Sequence, residues 1–121
     1  MILIVDDDEN VRAVAKKTLE QFGYRVLLAA NGAEAISAYA QRRDEIAVVF
    51  TDMAMPVMDG AAAIVALKAM NPQVKIIASS GLTAEGDVTD AAGAYIRYFI
   101  QKPYTAESMM KIIAKALHEQ A

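Results

Sequence analysis

The sequence predicts an α/β domain in which a parallel β-sheet is covered by helices on both sides. Five short apolar runs alternate along the chain with amphipathic stretches, which is the pattern of strands joined by crossover helices. The runs at 2–5 and 48–50 are apolar on both faces, as strands between two helical layers must be. The chain has 121 residues, 55% of them hydrophobic, so it has the size and the apolar content of one core.

Five strands are predicted at the apolar runs, at 2–5, 25–29, 47–51, 75–78 and 98–100. The first helix follows the first strand, and Gly23 is placed to cap its end. Its apolar stripe at helical spacing consists of Val11, Val14, Ala15, Thr18, Leu19 and Phe22.

The same spacing predicts the other helices. The second is marked by Ala35, Ile36, Tyr39 and Ala40, and the third by Ala63, Ile64 and Leu67. The segment 83–94 has few apolar residues and two glycines nearby, so the fourth helix should be the least stable. The last helix follows Thr105 as its N-cap and has an apolar side made of Met109, Ile112, Ile113, Ala116 and Leu117.

The charge and composition exclude several function classes. The net charge of -3, without clustered Lys or Arg, disfavours direct binding to nucleic acid. The absence of Cys excludes disulfides and thiolate metal sites and fits a reducing compartment. The first residues lack the flanks of a signal peptide, and no apolar run approaches the ~20 residues needed to cross a bilayer. We expect a soluble cytoplasmic domain without membrane insertion.

Polar residues follow four of the predicted strands. In an open parallel sheet, ligands bind outside the carboxyl ends of the strands, so these residues should meet at one edge. They are Asp6, Asp7 and Asp8 after strand one, Asp52 after strand three, Ser79 and Ser80 after strand four, and Gln101, Lys102 and Pro103 after strand five.

This set of residues suits phosphoryl transfer. Neighbouring carboxylates repel one another unless a hard divalent cation neutralises them, and oxygen ligands favour Mg²⁺ over zinc. Phosphoryl transfer needs such a cation together with a positive side chain that holds the phosphoryl oxygens. Asp52 can act as the nucleophile, Lys102 as the cation and Ser80 as the hydrogen-bond donor.

Four motifs in order resemble the receiver domains of two-component signalling systems. The motifs are 4–8 with its acidic residues, the block 51–60 ending in Asp59 and Gly60, the turn 79–81, and 102–104 with Lys102 and Pro103. The resemblance covers residues 1–121 as one domain. It implies a flavodoxin-like (βα)5 three-layer sandwich with strand order 2-1-3-4-5.

The resemblance also implies the metal site. Asp52 is the expected phosphoacceptor and a ligand, Asp7 a direct ligand beside Asp6, and the backbone carbonyl of Ala54 a further ligand. The expected ion is Mg²⁺, with Mn²⁺ as a possible substitute.

Other residues acquire roles by the same resemblance. Lys102 would pair with the phosphoryl oxygens, Ser80 would hydrogen-bond one of them, and Phe99 would turn inward as the second switch residue. The structural residues are Gly60 at the end of the phosphoacceptor block, Gly81, which keeps the approach to Asp52 open, and Pro103, whose preceding bond is cis in such domains.

The implied function is a phosphorelay switch. A histidine kinase or a histidine phosphotransfer protein would donate the phosphoryl group, and the domain would catalyse its own phosphorylation and dephosphorylation without being a conventional enzyme. The switched face would comprise the fourth helix, strand five and the fifth helix, which could also form a homodimer. The domain could stand alone or belong to a hybrid histidine kinase.

Two alternatives stay open at this point. Asp8 can be a metal ligand or the N-cap of the first helix. The pattern Asp6-Asp7-Asp8 also fits a small phosphatase of the haloacid dehalogenase type with Asp6 as the nucleophile, although the block around Asp52 would then be unexplained.

Overall fold

Strands and helices alternate along the chain as the sequence predicts. A computed structural model of the protein describes residues 1–52, 60–80, 98–101 and 104–118. The strands are β1 (Ile2–Val5), β2 (Val26–Ala29), β3 (Val48–Asp52), β4 (Lys75–Ser80) and β5 (Tyr98–Gln101). The helices in this part of the chain are α1 (Glu9–Gln21), α2 (Gly32–Arg42), α3 (Gly60–Met70) and the C-terminal helix (Ala106–His118). None of them is long and apolar enough to cross a bilayer.

The sheet is parallel and has the order β2-β1-β3-β4-β5. β1 pairs with β2 on one side and with β3 on the other, and Val5 lies opposite both Ala29 and Thr51. β5 adjoins β4, with Tyr98 opposite Ile77. The α/β fold and the predicted order 2-1-3-4 of the first four strands are confirmed. Because all strands run in one direction, their carboxyl ends lie along a single edge.

The core lies on both faces of the sheet. Along β1, Leu3 and Val5 are buried with residues of α2 and α3, whereas Ile2 and Ile4 are buried with residues of α1 and the C-terminal helix. All four β1 side chains are at most 1% exposed. A strand covered on both faces has no polar side, which explains why its sequence is an unbroken apolar run.

Two predicted details of α1 need correction. The six-residue stripe is correct for Ala15 and Leu19, which are buried, but wrong for Val14 and Phe22, which are 64% and 63% exposed. α1 packs against β1, β2 and the C-terminal helix. These neighbours cover a narrower arc of the helix than the stripe spans, which leaves Val14 exposed, while Phe22 follows the last residue of α1 as its C-cap.

Local capping interactions determine where the helices begin and end. Gly23 has φ +89°, the left-handed conformation that glycine adopts readily after a helix. Thr105 accepts a hydrogen bond on Oγ1 from the Ser108 N–H at 3.0 Å, which confirms it as the cap of the C-terminal helix. The cap of α2 was not predicted: Asn31 accepts from the Glu34 N–H at 2.9 Å.

The predicted ends of three strands shift slightly. β3 extends to Asp52, which pairs with Ser79. β4 and β5 extend to Ser80 and Gln101, which pair with each other. The fourth predicted helix, at 83–94, lies outside the described residues.

Candidate metal centre

Three carboxylates meet at the carboxyl edge of the sheet. Asp6 directly follows β1 and Asp52 ends β3. Because Val5 and Thr51 are partners in adjacent strands, the next residues along both strands are also neighbours. One carboxylate oxygen each from Asp6, Asp7 and Asp52 lies within 4.8 Å of the other two.

The cluster combines burial with access to solvent. Asp6 is 2% exposed and Asp52 is 5% exposed, whereas Asp7 is exposed. The donor atoms of this cluster are all carboxylate oxygens, which are the ligands that hard divalent cations prefer. Mg²⁺ usually retains several waters, and the exposed position of Asp7 leaves room for them. The cluster therefore fits Mg²⁺ in donor chemistry.

The loop that carries Asp6 and Asp7 is held by hydrogen bonds to two neighbouring elements. The Asp6 N–H donates to the carbonyl of Ala29 at the end of β2, at 3.1 Å. The Asp6 Oδ1 accepts from the Asp8 N–H at 2.9 Å. The Asp6 carbonyl accepts from Nη1 of Arg12 on α1, at 2.7 Å. The position of Asp6 is thus determined jointly by the sheet and by α1.

Asp8 takes part in the helix rather than in the cluster. Its Oδ1 accepts hydrogen bonds from the N–H groups of Asn10 at 2.8 Å and Val11 at 3.3 Å. These N–H groups belong to the first turn of α1, where no carbonyl precedes them to act as a partner. Of the two interpretations of Asp8 that the sequence left open, the structure shows the N-cap.

Two buried hydroxyls support the end of β3. Ser79 Oγ donates to the carbonyl of Thr51 at 3.4 Å, and Thr51 Oγ1 donates to the carbonyl of Asp52 at 3.2 Å. Both residues are at most 1% exposed. Ser79 was expected at this edge of the sheet, but neither hydroxyl was assigned this supporting role. The available signal was a hydroxyl residue at the end of each of two apolar strands.

The structure describes only part of the remaining predicted site. Ser80 ends β4 opposite Gln101, and Phe99 lies in β5 opposite Ala78, while Gly60 begins α3. The described residues do not include the side chains of Ser80 and Phe99, nor the following residues, whose predicted roles remain predictions: Ala54, Gly81, Lys102 and Pro103.

The chain matches one protein family over most of its length. The model of the response regulator receiver domain matches residues 2–114. The chemotaxis protein CheY of Bacillus subtilis is 36% identical over 118 residues, which cover 97% of each chain. The sensor kinase CckA of Brucella abortus is 28% identical across 98% of this chain, which corresponds to 13% of that kinase.

A solved structure has the same fold. The complex of CheX, CheY, BeF₃ and Mg²⁺ from Borrelia burgdorferi contains a chain that aligns with a TM-score of 0.89 and 25% identity. The alignment covers 98% of this chain and 89% of that one. That structure contains Mg²⁺ and BeF₃.

Proposed function

The chain belongs to the response regulator receiver domain family, and from this membership we propose that Asp52 accepts a phosphoryl group in a Mg²⁺-dependent reaction. Receiver domains act in phosphorelay signalling. The observation that carries the residue assignment is the buried carboxylate of Asp52 within 4.8 Å of two further carboxylates. Nothing in the family match supports the haloacid dehalogenase alternative.

The positions of the three acids support Asp52 as the nucleophile. Asp6 uses Oδ1 to accept the Asp8 N–H, and Asp7 is exposed. Asp52 ends β3, whose two neighbours in the sheet are β1 and β4. A phosphoryl group on Asp52 would therefore lie within reach of residues from both neighbouring strands.

Asp6, Asp7 and Asp52 would hold the Mg²⁺, and the carbonyl of Ala54 is the further ligand that the family resemblance implies. A bound Mg²⁺ would screen the repulsion between the Asp52 carboxylate and the incoming phosphoryl oxygens. Mn²⁺ has the same preference for oxygen ligands and, in this proposal, can replace Mg²⁺ in the reaction.

The reaction conserves atoms and charge without a further reactant. A carboxylate oxygen of Asp52 forms the new P–O bond. The P–N bond of the phosphohistidine donor breaks, and its electron pair returns to the imidazole. The later dephosphorylation transfers the same phosphoryl group to water.

We assign Lys102 to the phosphoryl oxygens, Ser80 to a hydrogen bond with one of them, and Phe99 to the switch. The two described neighbours of residues 102–103 support the first assignment. Gln101 is paired with Ser80 at the carboxyl end of β4. The ring of Tyr104 packs edge-on against Phe50 of β3, with ring centroids 5.5 Å apart.

The proposed partner is a cytoplasmic histidine kinase or histidine phosphotransfer protein that supplies phosphohistidine. The match to part of CckA is consistent with a receiver inside a hybrid kinase. The match to CheY along nearly its whole length is consistent with a stand-alone regulator.

We further propose that phosphorylation alters the face around β5. Hydrogen exchange across 83–99 that is identical with and without BeF₃ and Mg²⁺ would contradict this switch, and sedimentation of the phosphorylated protein tests a homodimer.

The experiment that tests the phosphoacceptor is intact-mass analysis after incubation with acetyl phosphate and Mg²⁺. We expect one phosphoryl group on the wild-type protein and none on Asp52→Asn. Asp44→Asn is the matched control, because Asp44 is an exposed acid at the end of α2 and should be labelled normally. Labelling that persists in Asp52→Asn but is lost in Asp6→Asn would overturn the proposal.

A further inference from the structure

Arg12 connects α1 to both ends of the acidic loop 6–8. Its backbone N–H donates to the carbonyl of Asp8 at 3.0 Å, as the first hydrogen bond of α1. Its guanidinium Nη1 donates to the carbonyl of Asp6 at 2.7 Å. A cationic donor at this distance makes a charge-assisted hydrogen bond, which is stronger than a bond between neutral groups.

We propose that Arg12 is a positioning residue of the metal centre, holding the peptide of Asp6 so that Asp6 and Asp7 face Asp52. This inference rests on the proposed function, because it assigns a role toward the Mg²⁺ that Asp52 chemistry requires. Arg12 need not touch the ion or the phosphoryl group, since it acts through the backbone of a ligand.

The exposure of Asp7 and Asp8 explains why this bond matters. Asp52 is held inside the sheet by the β3–β4 ladder. By contrast, Asp7 and Asp8 are exposed, so this part of the loop gains little rigidity from packing. Its conformation depends on the hydrogen bonds at its two ends, and one of those at Asp6 comes from the Arg12 side chain.

Charge and positioning predict opposite effects of removing the guanidinium. Arg12 places a positive charge against the backbone of Asp6, on the loop that carries two of the three acids, and this charge repels an incoming metal cation. If the charge alone mattered, Arg12→Gln would bind Mg²⁺ more tightly. If the hydrogen bond positions the ligands, Arg12→Gln will bind Mg²⁺ more weakly. The sign of the change therefore distinguishes the two roles.

The test compares Mg²⁺ affinity in the wild type, Arg12→Gln, Arg12→Lys and Lys16→Gln by isothermal titration. Lys16 is the matched control because it lies one turn further along α1, is exposed, and shares the surface groove lined by Arg12. We expect Arg12→Gln to weaken Mg²⁺ binding about tenfold, as loss of a residue that orients a ligand typically does. Lys16→Gln should stay within about twofold, because an exposed charge is largely screened.

Arg12→Lys should recover part of the affinity, because it retains a cationic donor without the planar fork of arginine. Labelling by acetyl phosphate supplies a second readout. In Arg12→Gln, the Mg²⁺ concentration at half-maximal rate should rise while the rate at saturating Mg²⁺ stays near that of the wild type. A general packing defect would not give this separation.

Hydrogen exchange of the Asp8 amide in the metal-free protein supplies a third readout, since this N–H donates to Asp6 Oδ1. Faster exchange in Arg12→Gln supports the proposal. Equal or tighter Mg²⁺ binding in Arg12→Gln would overturn it. Should Arg12→Gln fail to fold, an Arg12→Lys variant with lower stability but unchanged Mg²⁺ affinity would overturn it as well.

The experiment separates this inference from the proposed function. A wild type that binds no Mg²⁺ and accepts no label overturns the proposed function. A wild type that binds Mg²⁺ and is labelled, with an Arg12→Gln variant that behaves identically, overturns only the role of Arg12.

Discussion

Replacing Asp8 by alanine and by asparagine separates its capping role from its charge. Both substitutions remove one negative charge beside the acidic cluster. Only alanine also removes the acceptor for the N–H groups of Asn10 and Val11, which lie at 2.8 and 3.3 Å from Oδ1. Since asparagine caps a helix about as well as aspartate, the two variants should differ in stability and agree in Mg²⁺ affinity.

The magnitude follows from the two hydrogen bonds at an exposed helix end. Loss of an N-cap acceptor costs about 1 kcal/mol of the free energy of unfolding, within a range of roughly 0.5 to 2. Loss of the charge near the positive end of the helix dipole costs about 0.3 to 1 kcal/mol more in both variants. For a domain of this size, the alanine variant should melt about 3 to 5 °C below the asparagine variant.

The assay is urea unfolding followed by circular dichroism, without divalent ions, together with Mg²⁺ titration of both variants. Equal stability of the alanine and asparagine variants would refute the capping argument. The loss of Mg²⁺ affinity in the asparagine variant should be no larger than the loss caused by removing any other negative charge near the cluster. A much larger loss would indicate that Asp8 is a metal ligand.

Three further substitutions test the described packing by the same unfolding assay. Gly23→Ala should lower the free energy of unfolding by about 1 kcal/mol through backbone strain alone, because φ is +89° and no heavy atom lies within 4 Å of an added Cβ. If Gly23→Asn lowered it more than Gly23→Ala does, steric contact would be the cause. Tyr39→Phe should cost about 1 kcal/mol by removing the acceptor of the 2.9 Å bond from Asn71 Nδ2, and an unchanged stability would contradict a contribution from this bond. Leu67→Ala should lower the free energy of unfolding by about 2 to 5 kcal/mol, because Leu67 is 0% exposed. Val14→Ala, at a 64% exposed position, should change it by no more than about 0.5 kcal/mol. Similar losses in the two variants would mean that Val14 is covered in solution.

The fold was predictable mainly because its central strands are apolar on both faces. β1 matches the predicted range residue for residue, and the acids that follow Val5 mark the end of its apolar run. The strand order could not be derived from such local patterns. Pairing of β1 with both β2 and β3 is a long-range property, and the prediction of that order came from the family resemblance.

The exposure of α1 residues shows a limit of periodicity. Helical spacing indicates which side chains lie on one side of a helix, but the width of the covered arc depends on the neighbouring elements. Val14 lies at one margin of the stripe, Phe22 lies at the C-cap beyond the last residue of α1, and both remain exposed. Ala15 and Leu19 lie within the contact with the sheet and are buried.

The acidic cluster was predictable because it depends only on strand ends. Once β1 and β3 are parallel and adjacent, Asp6 and Asp52 must be neighbours. The supporting hydrogen bonds were not predictable in this way. The bond from Arg12 to the Asp6 carbonyl requires a particular rotamer, and the bond from Ser79 to the Thr51 carbonyl requires a particular register between β3 and β4.

The acidic cluster of Asp6, Asp7 and Asp52 joins two parts of the fold that are stabilised by different means. Asp52 is fixed by backbone pairing within the sheet, supported by the buried hydroxyls of Thr51 and Ser79. Asp6 and Asp7 lie on a loop that is anchored to α1 through Arg12. Asp6 also donates its N–H to the carbonyl of Ala29 in β2, so the loop acids depend on both α1 and the sheet, whereas Asp52 is part of the β3–β4 ladder. A shift of the end of α1 that carries Arg12 should therefore move Asp6 and Asp7 relative to Asp52.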